Sequence, residues 1–413
     1  MSKQSLGARL SAGTTHINRA DPAHARAKAP NPIGQWAFAG VAIASFGGPL
    51  ALAGLAAPGL VADASDSAGF AILAATVVFV APLAIWLRYS SKISSSGGLY
   101  AFVEAAAGRR VALAQAALWI FSYLLYVIYT TVQIVYEQLP EVVPAERRYQ
   151  TLLALAIPVG MAGLMIAGRA ATLIVLGAVA AGQLALAGIL DGVTLAHLST
   201  PISSFGTSAP AGQLAKASAQ TSLLYICGSL PLFLGGELAR PTRTIRRGLI
   251  GAFAITALVI VLAVALLASA PGLLSTAIPG VAVVEQFAST GLAKLIGVGI
   301  AVSTAGVIVC EYLALTRLLH AITRSSVRTI AVAIGVVIVL AAPFSLIDPI
   351  GFYNTLVEPS LVALWLSQLI VFAVYPLFAS KQGQRALPVW ALSLIASGLA
   401  VYGLWTAVHQ AAS

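Results

Sequence analysis

Apolar stretches of eighteen or more residues recur along nearly the whole chain, and few patterns restrict a fold more tightly. A bilayer core about 30 Å thick needs roughly 20 apolar residues per helical crossing. In lipid every backbone N–H and C=O must be satisfied within the protein, so such stretches are read as helices. Eleven can be drawn, with approximate limits 35–62, 69–87, 111–139, 151–167, 171–192, 219–238, 249–270, 292–323, 329–347, 353–379 and 387–408. The sequence is therefore read as an all-α polytopic membrane protein with about 11 transmembrane helices. Composition agrees, because 9% of residues are charged and 59% hydrophobic, where soluble proteins carry about 25% charge.

Lysine and arginine give the orientation. With the N-terminus in the cytoplasm, only Arg147, Arg148, Lys216 and Lys294 of the 23 basic residues fall outside. The others gather in the tail and on the inner loops. An odd number of spans then puts the C-terminus outside. The same alternation accounts for the net charge of +10, which lies beside an anionic leaflet and calls for no nucleic-acid partner. Residues 1–30 are basic and lack an apolar run, so they read as a disordered cytoplasmic tail with no signal peptide. The expected setting is the plasma (inner) membrane. Cys227 and Cys310 both sit inside apolar stretches and read as small packing residues rather than a disulfide framework.

One stretch, Thr221–Gly248, stands apart. It begins as an apolar helix, meets Gly228, Ser229 and Pro231, passes Gly235 and Gly236, and ends in Arg240, Arg243, Arg246 and Arg247. Proline lacks a backbone donor and clashes with the preceding turn, so the sixth span breaks or kinks here. The first span repeats the pattern. Phe46-Gly47-Gly48-Pro49-Leu50-Ala51-Leu52-Ala53-Gly54 and Cys227-Gly228-Ser229-Leu230-Pro231-Leu232-Phe233-Leu234-Gly235 both contain Gly, small residue, Pro, Leu, x, Leu, x, Gly, with one residue of slack. The two lie five spans apart and so run in opposite directions. Gly/Pro-interrupted helices in corresponding positions of two halves point to an inverted-repeat transporter. The expected division is a first repeat over 31–192, a second over 193–380 and an additional span over 381–413.

Three segments, in order, resemble one family. Glu237-Leu-Ala-Arg-Pro-Thr-Arg-Thr-Ile-Arg-Arg-Gly248 is similar to the E-x-x-N-P-x-R-x-I-P-x-A/G signature after the sixth span of amino acid–polyamine–organocation permeases. Ser95-Ser-Gly-Gly-Leu-Tyr-Ala-Phe102 resembles the Gly-Gly-x-Tyr segment entering their third span, and Arg317-Leu-Leu-His-Ala-Ile-Thr-Arg324 the end of their eighth. The resemblance implies the five-plus-five inverted-repeat, LeuT-type fold, with spans one and six unwound around substrate. It also has departures. Gly47-Gly48-Pro49 stands where the family has Gly-x-Gly, which is closer to the polyamine-uptake branch. Arg240 and Arg246 replace the signature's Asn and second Pro. Span five has no Lys of the kind some proton-coupled members carry.

Broken half-helices expose N–H groups at one end and carbonyls at the other. Ala44, Ser45, Phe46, Gly47 and Gly48, with Tyr225, Cys227, Gly228, Ser229 and Leu230, are the substrate-binding candidates, Phe46 and Tyr225 as walls or gates. On span three Tyr123, Tyr126, Thr130 and Gln133 share one helical face, either along the substrate path or in interhelical hydrogen bonds; Tyr126 is the leading candidate. Ser303 and Thr304 match, by the resemblance, a sodium site built with carbonyls of span one; their hydroxyls suit a hard cation or simple back-bonding to the helix. Glu311 is a carboxylate within the membrane, suited to a proton, a cationic substrate or pairing with Arg317. Glu237, with Arg240 and Arg243, forms the expected inner gate.

No nucleophile elbow, phosphate loop or metal-spaced histidine set is present, so an enzyme is not expected. The expectation is a secondary active transporter of a small amine-bearing solute, an amino acid or polyamine, coupled to Na+ or H+ with no resident cofactor. The alternative is a non-transporting sensor that keeps the fold.

Overall fold

The computed structural model describes residues 31–64, 67–143, 148–202, 204–206 and 209–410; the expected tail over 1–30 and Arg147 lie outside the described residues. The helical body comprises Ile33–Ser413. Among the described residues there is no strand beyond a single parallel bridge between Ile33 and Leu238.

Among the described residues eleven helices are long and apolar enough to cross a membrane: Gln35–Ala62, Ala68–Ser90, Arg109–Val142, Gln150–Ala167, Arg169–Ala196, Ala211–Glu237, Pro241–Ser269, Thr290–Thr323, Val327–Leu346, Pro349–Lys381 and Ala386–His409. They are spans one to eleven below. The count agrees with the sequence reading, but two starts differ. Span six begins at Ala211, so the polar residues expected in a long loop over 197–220 are partly helical. Span seven begins at Pro241, and Arg243, Arg246 and Arg247 therefore sit on its first turns. Proline at N1 explains the second shift: its fixed φ suits a helix start and its missing N–H would be unsatisfied there anyway. Span ten also starts on a proline, Pro349, with the Asp348 carboxylate accepting from the Gly351 N–H at 2.9 Å. Ser326 caps span nine in the same way. Two short helices the periodicity did not show, Leu99–Ala107 and Pro279–Phe287, fill the connections before spans three and eight.

Spans one, five, seven and eight pack together, with span six against one and eight. Span ten lies between three and eleven, and span nine rests on four. One end of the bundle gathers the basic residues. There Lys381 Nζ donates to the carbonyls of Ala105 and Ala106, Arg88 reaches Tyr375, and the Ile33 N–H donates to the Glu237 carbonyl at 2.9 Å. At the opposite end Gly69 donates to Ser204 and Ser199 to Ala268. Loops assigned to one side by charge alone thus meet one another in space.

The two interrupted spans are continuous in path and irregular in backbone. Span one is α-helical over Gln35–Ser45, turns at Phe46–Gly48, restarts at Pro49 and passes through a π-helical segment, Leu52–Ala56. Gly47 and Gly48 have φ of 87° and 71°, a region open to glycine and strained for other residues. Span six is α-helical over Ala211–Ile226 and then a 3₁₀ helix over Cys227–Glu237. Span six was expected to be unwound at Gly228; it is tightened instead. A 3₁₀ run this long is uncommon and marks strain or a hinge. A third irregularity, the π-helical Ile134–Gln138, lies in span three.

Candidate functional site

The irregular segments converge on one cavity of about 440 Å³. Gly47, Ala51, Leu52, Leu55 and Ala56 come from span one. Span three gives Tyr126, Tyr129, Thr130, Gln133 and Gln138, and span six gives Leu224, Ile226 and Cys227. Thr304 and Val307 of span eight and Tyr353, Leu361 and Leu364 of span ten complete the lining. Both π-helical segments contribute: an extra residue per turn rotates the side chains after it, here bringing Leu55, Ala56 and Gln138 to the cavity. Tyr129 meets Tyr353 edge-on, with ring centroids 5.3 Å apart, and packs at a tilt of 53° against Tyr126, 5.0 Å away. The lining is aromatic and amide-bearing and has no charged side chain. A second cavity of about 290 Å³ shares Leu55 and Gln138 with it and carries Glu137 and Glu141.

The sequence candidates divide. Gly47, Cys227, Tyr126 and Thr304 line the cavity. Ala44, Ser45, Phe46, Gly48, Tyr225, Gly228, Ser229 and Leu230 do not, and each has a packing role. Phe46 is fully buried against Phe253, and a Cβ on Gly228 would come 2.2 Å from the Phe46 ring. The two interrupted spans therefore touch at Phe46 and Gly228, and only glycine permits it. Ala44 and Leu230 are buried in the same core. Ser45 and Ser229 hydroxyls donate back to the carbonyls of Ala42 and Ile226. Tyr225 was expected as a wall or gate. It faces the other way, its hydroxyl 2.7 Å from Thr76 and its ring 5.2 Å from Phe79 and 5.0 Å from Phe253.

Ser303 and Thr304 are both engaged with protein. Ser303 donates to Gln183 of span five and accepts from the Ala51 N–H, and a Cβ on Gly48 would collide with its hydroxyl. Thr304 donates to the Ile300 carbonyl at 3.1 Å and accepts from Gln138 at 3.2 Å. Gln183 and Gln138 were not singled out in the sequence. A glutamine in an apolar helix is the visible signal for both, but the partner across the bundle is not.

Glu237 is held by two bases, the Arg169 guanidinium at 2.9 Å and Arg317 at 2.8 Å. The expected gate joined it to the arginines that follow span six. Instead, Arg240 and Arg243 line a separate cavity of about 240 Å³ with Ile33 and Gln35. Sequence proximity favoured the neighbours, but Arg240 stands outside the helix that Pro241 begins and lines that separate cavity with Arg243. Arg317, also expected as a partner of Glu311, is used by Glu237. Glu311 is fully buried and neither carboxyl oxygen has a hydrogen-bond partner among the described residues.

With this geometry in hand, the chain can be set beside known proteins. No family model matches it, and no curated protein does. Among solved structures it is similar to a Na+-coupled sialic acid symporter in a substrate-bound outward-open state (TM-score 0.58, 13% identity, covering 92% of this chain and 91% of that one). It is also similar to MhsT in complex with L-phenylalanine (TM-score 0.63, 11% identity, 90% and 98% covered). A third is a mutant manganese transporter of Eremococcus coleocola (TM-score 0.58, 12% identity, 91% and 87% covered). At these identities the likeness is one of fold. The protein is an all-α, multi-pass membrane protein with the five-plus-five inverted-repeat, LeuT-type fold.

Proposed function

We propose that the protein is a secondary active transporter of a small amine-bearing solute, working by alternating access at the cavity between spans one and six. One observation carries the reading: a solute-sized cavity meets both interrupted helices, at Gly47 and at Cys227. Helix breaks at membrane depth are tolerated where they line a cavity, and a midplane site between repeats is where transporters of this architecture bind. Three features support it. The cavity adjoins a second, acidic one away from the basic end. The basic end is latched by Glu237 with Arg169 and Arg317. The neighbours in fold are named as transporters of sialic acid and of manganese, or are bound to an amino acid. In this reading the repeats 31–192 and 193–380 rock against each other, 381–413 is an accessory span, and the N-terminus is cytoplasmic and the C-terminus outside, in the plasma (inner) membrane.

The test is uptake of labelled amines and amino acids into proteoliposomes, with and without Na+ or H+ gradients. Saturable, gradient-dependent flux is expected. Binding with no flux under any gradient would replace the transporter by a ligand sensor of the same fold.

A further inference from the structure

Glu311, near the cavity, is a carboxyl group that neither the fold nor the gate uses among the described residues. Thr304 and Val307 line the cavity, and Glu311 follows them at seven and four residues along the same helix. That spacing puts its side chain on the same face, one turn nearer the basic end. Cys227, on the cavity wall, and Tyr123 are both close to Glu311, and the Tyr123 hydroxyl reaches the Cys227 sulfur at 3.9 Å, a weak contact. The titratable groups around Glu311 are Tyr123, Tyr126 and Tyr129 of span three, Cys227 of span six and its own neighbour Cys310. All are neutral side chains in ordinary solution. Span one has no titratable residue over Gln35–Ser45, and Cys310 is turned to its Val41 carbonyl. Arg317 further along the helix is bound to Glu237. An unpaired carboxylate in so dry a place is costly, so the group stays a neutral acid until a cation reaches it.

The cavity's own lining offers a cation no countercharge; besides Glu311, the acids near it are Glu137 and Glu141 of the adjoining cavity. The lining offers a substrate carboxylate little as well. The helix restart beside it begins with Pro49, which has no N–H, and the Ala51 N–H is directed at Ser303. We propose, on the transporter reading above, that Glu311 is a proton–cation exchange site, and that the substrate is an amine without a carboxylate, carried in exchange for a proton. The step balances. The Glu311 O–H bond breaks, its proton leaves through the cavity toward Glu137 and Glu141, and the ammonium of the amine pairs with the carboxylate left behind. The site's net charge is the same before and after, so no uncompensated charge is buried. Release of the amine on the other side is driven by reprotonation.

Proteoliposomes loaded at acid pH and diluted into alkaline buffer test this with labelled 1,4-diaminobutane, butylamine and leucine. Neutral butylamine crosses lipid unaided and is trapped by protonation in an acid lumen, so the readout is the initial rate of uptake above that of protein-free liposomes of the same lipid. Butylamine is expected to enter well above that background, with protein-dependent proton efflux tracking uptake and no such uptake of leucine. Glu311→Gln copies the neutral acid in shape, so its melting temperature should be unchanged while uptake falls to the protein-free rate. Detergent-solubilised wild-type protein should release about one proton per butylamine bound, a readout independent of any variant's folding. Wild-type flux that ignores the pH gradient, or amine binding without proton release, would overturn the exchange site and leave the transporter standing. Leucine carried as well as butylamine would overturn the substrate class. Absence of flux for every solute under every gradient would overturn the transporter reading itself.

Discussion

Spans one and six carry nearly the same motif, and the structure resolves it in two ways. In span one the proline directly follows two glycines. The glycines take positive φ, the helix stops, and Pro49 restarts it. In span six two residues separate Gly228 from Pro231, and the chain absorbs the missing N–H by tightening into a 3₁₀ helix over Cys227–Glu237. One motif makes a joint, the other a stiff and strained rod. The cavity lies mostly beyond the joint, along the restarted half of span one, and span six reaches it only where its α-helical part ends and the 3₁₀ helix begins, at Leu224, Ile226 and Cys227. What teaches here is the spacing between glycine and proline: adjacent, they break a helix; separated, they rewind it.

Four substitutions test that contrast. Gly48→Ala should do the most damage, because alanine is strained at φ 71° and its Cβ would sit 2.2 Å from the Ser303 hydroxyl. We expect loss of both folding yield and transport, with no rescue by Ser303→Ala, since the backbone strain remains; recovery in the double variant, by thermal melting, would mean the joint is not conformationally strained. Gly228→Leu comes next. Its φ is not positive, so only the collision with the Phe46 ring stands in the way. The variant should fold, lose substrate binding as Phe46 is driven from its place, and regain part of it in combination with Phe46→Ala; normal binding by the single variant would remove Gly228 from any influence on the site. Glu237→Gln weakens two charge-assisted bonds at the end of the rod, on the order of 1.5–3 kcal/mol. Labelling of a cysteine placed at the basic end should then speed up roughly tenfold or more, and unchanged labelling would show the latch lies elsewhere. Tyr225→Phe should do least. It deletes the hydroxyl contact to Thr76, at a cost of about 1 kcal/mol in stability, with substrate affinity within about twofold, because the ring faces spans two and seven.

Much of this was legible in the chain. Eleven spans and the sharing of ends follow from hydropathy and basic residues, because lipid forces both. The interruption of span one was visible in Gly47-Gly48-Pro49, and the shared face of Tyr126, Thr130 and Gln133 in a 4, 3 spacing. What stayed hidden depends on register across the bundle. Nothing local says that Leu52–Ala56 and Ile134–Gln138 become π-helical, yet that rotation brings Gln138 to Thr304. Tyr225 and Phe46 have the composition of gates, and only their neighbours, Thr76, Phe79, Phe253 and Gly228, show them as packing. Glu237 was expected to choose the arginines next to it in sequence, but two from elsewhere, on spans five and eight, reach it first.

The bridge between Ile33 and Leu238 has a mechanical meaning. The Ile33 N–H donates to the Glu237 carbonyl, one residue's width from the carboxylate that holds Arg169 and Arg317. The segment entering span one and the segment leaving span six are thus fastened to each other at the same point where both are fastened to spans five and eight. They form a single lever with one catch. On the transporter reading proposed above, releasing the catch would free both half-helices together, so that neither swings while the other is held.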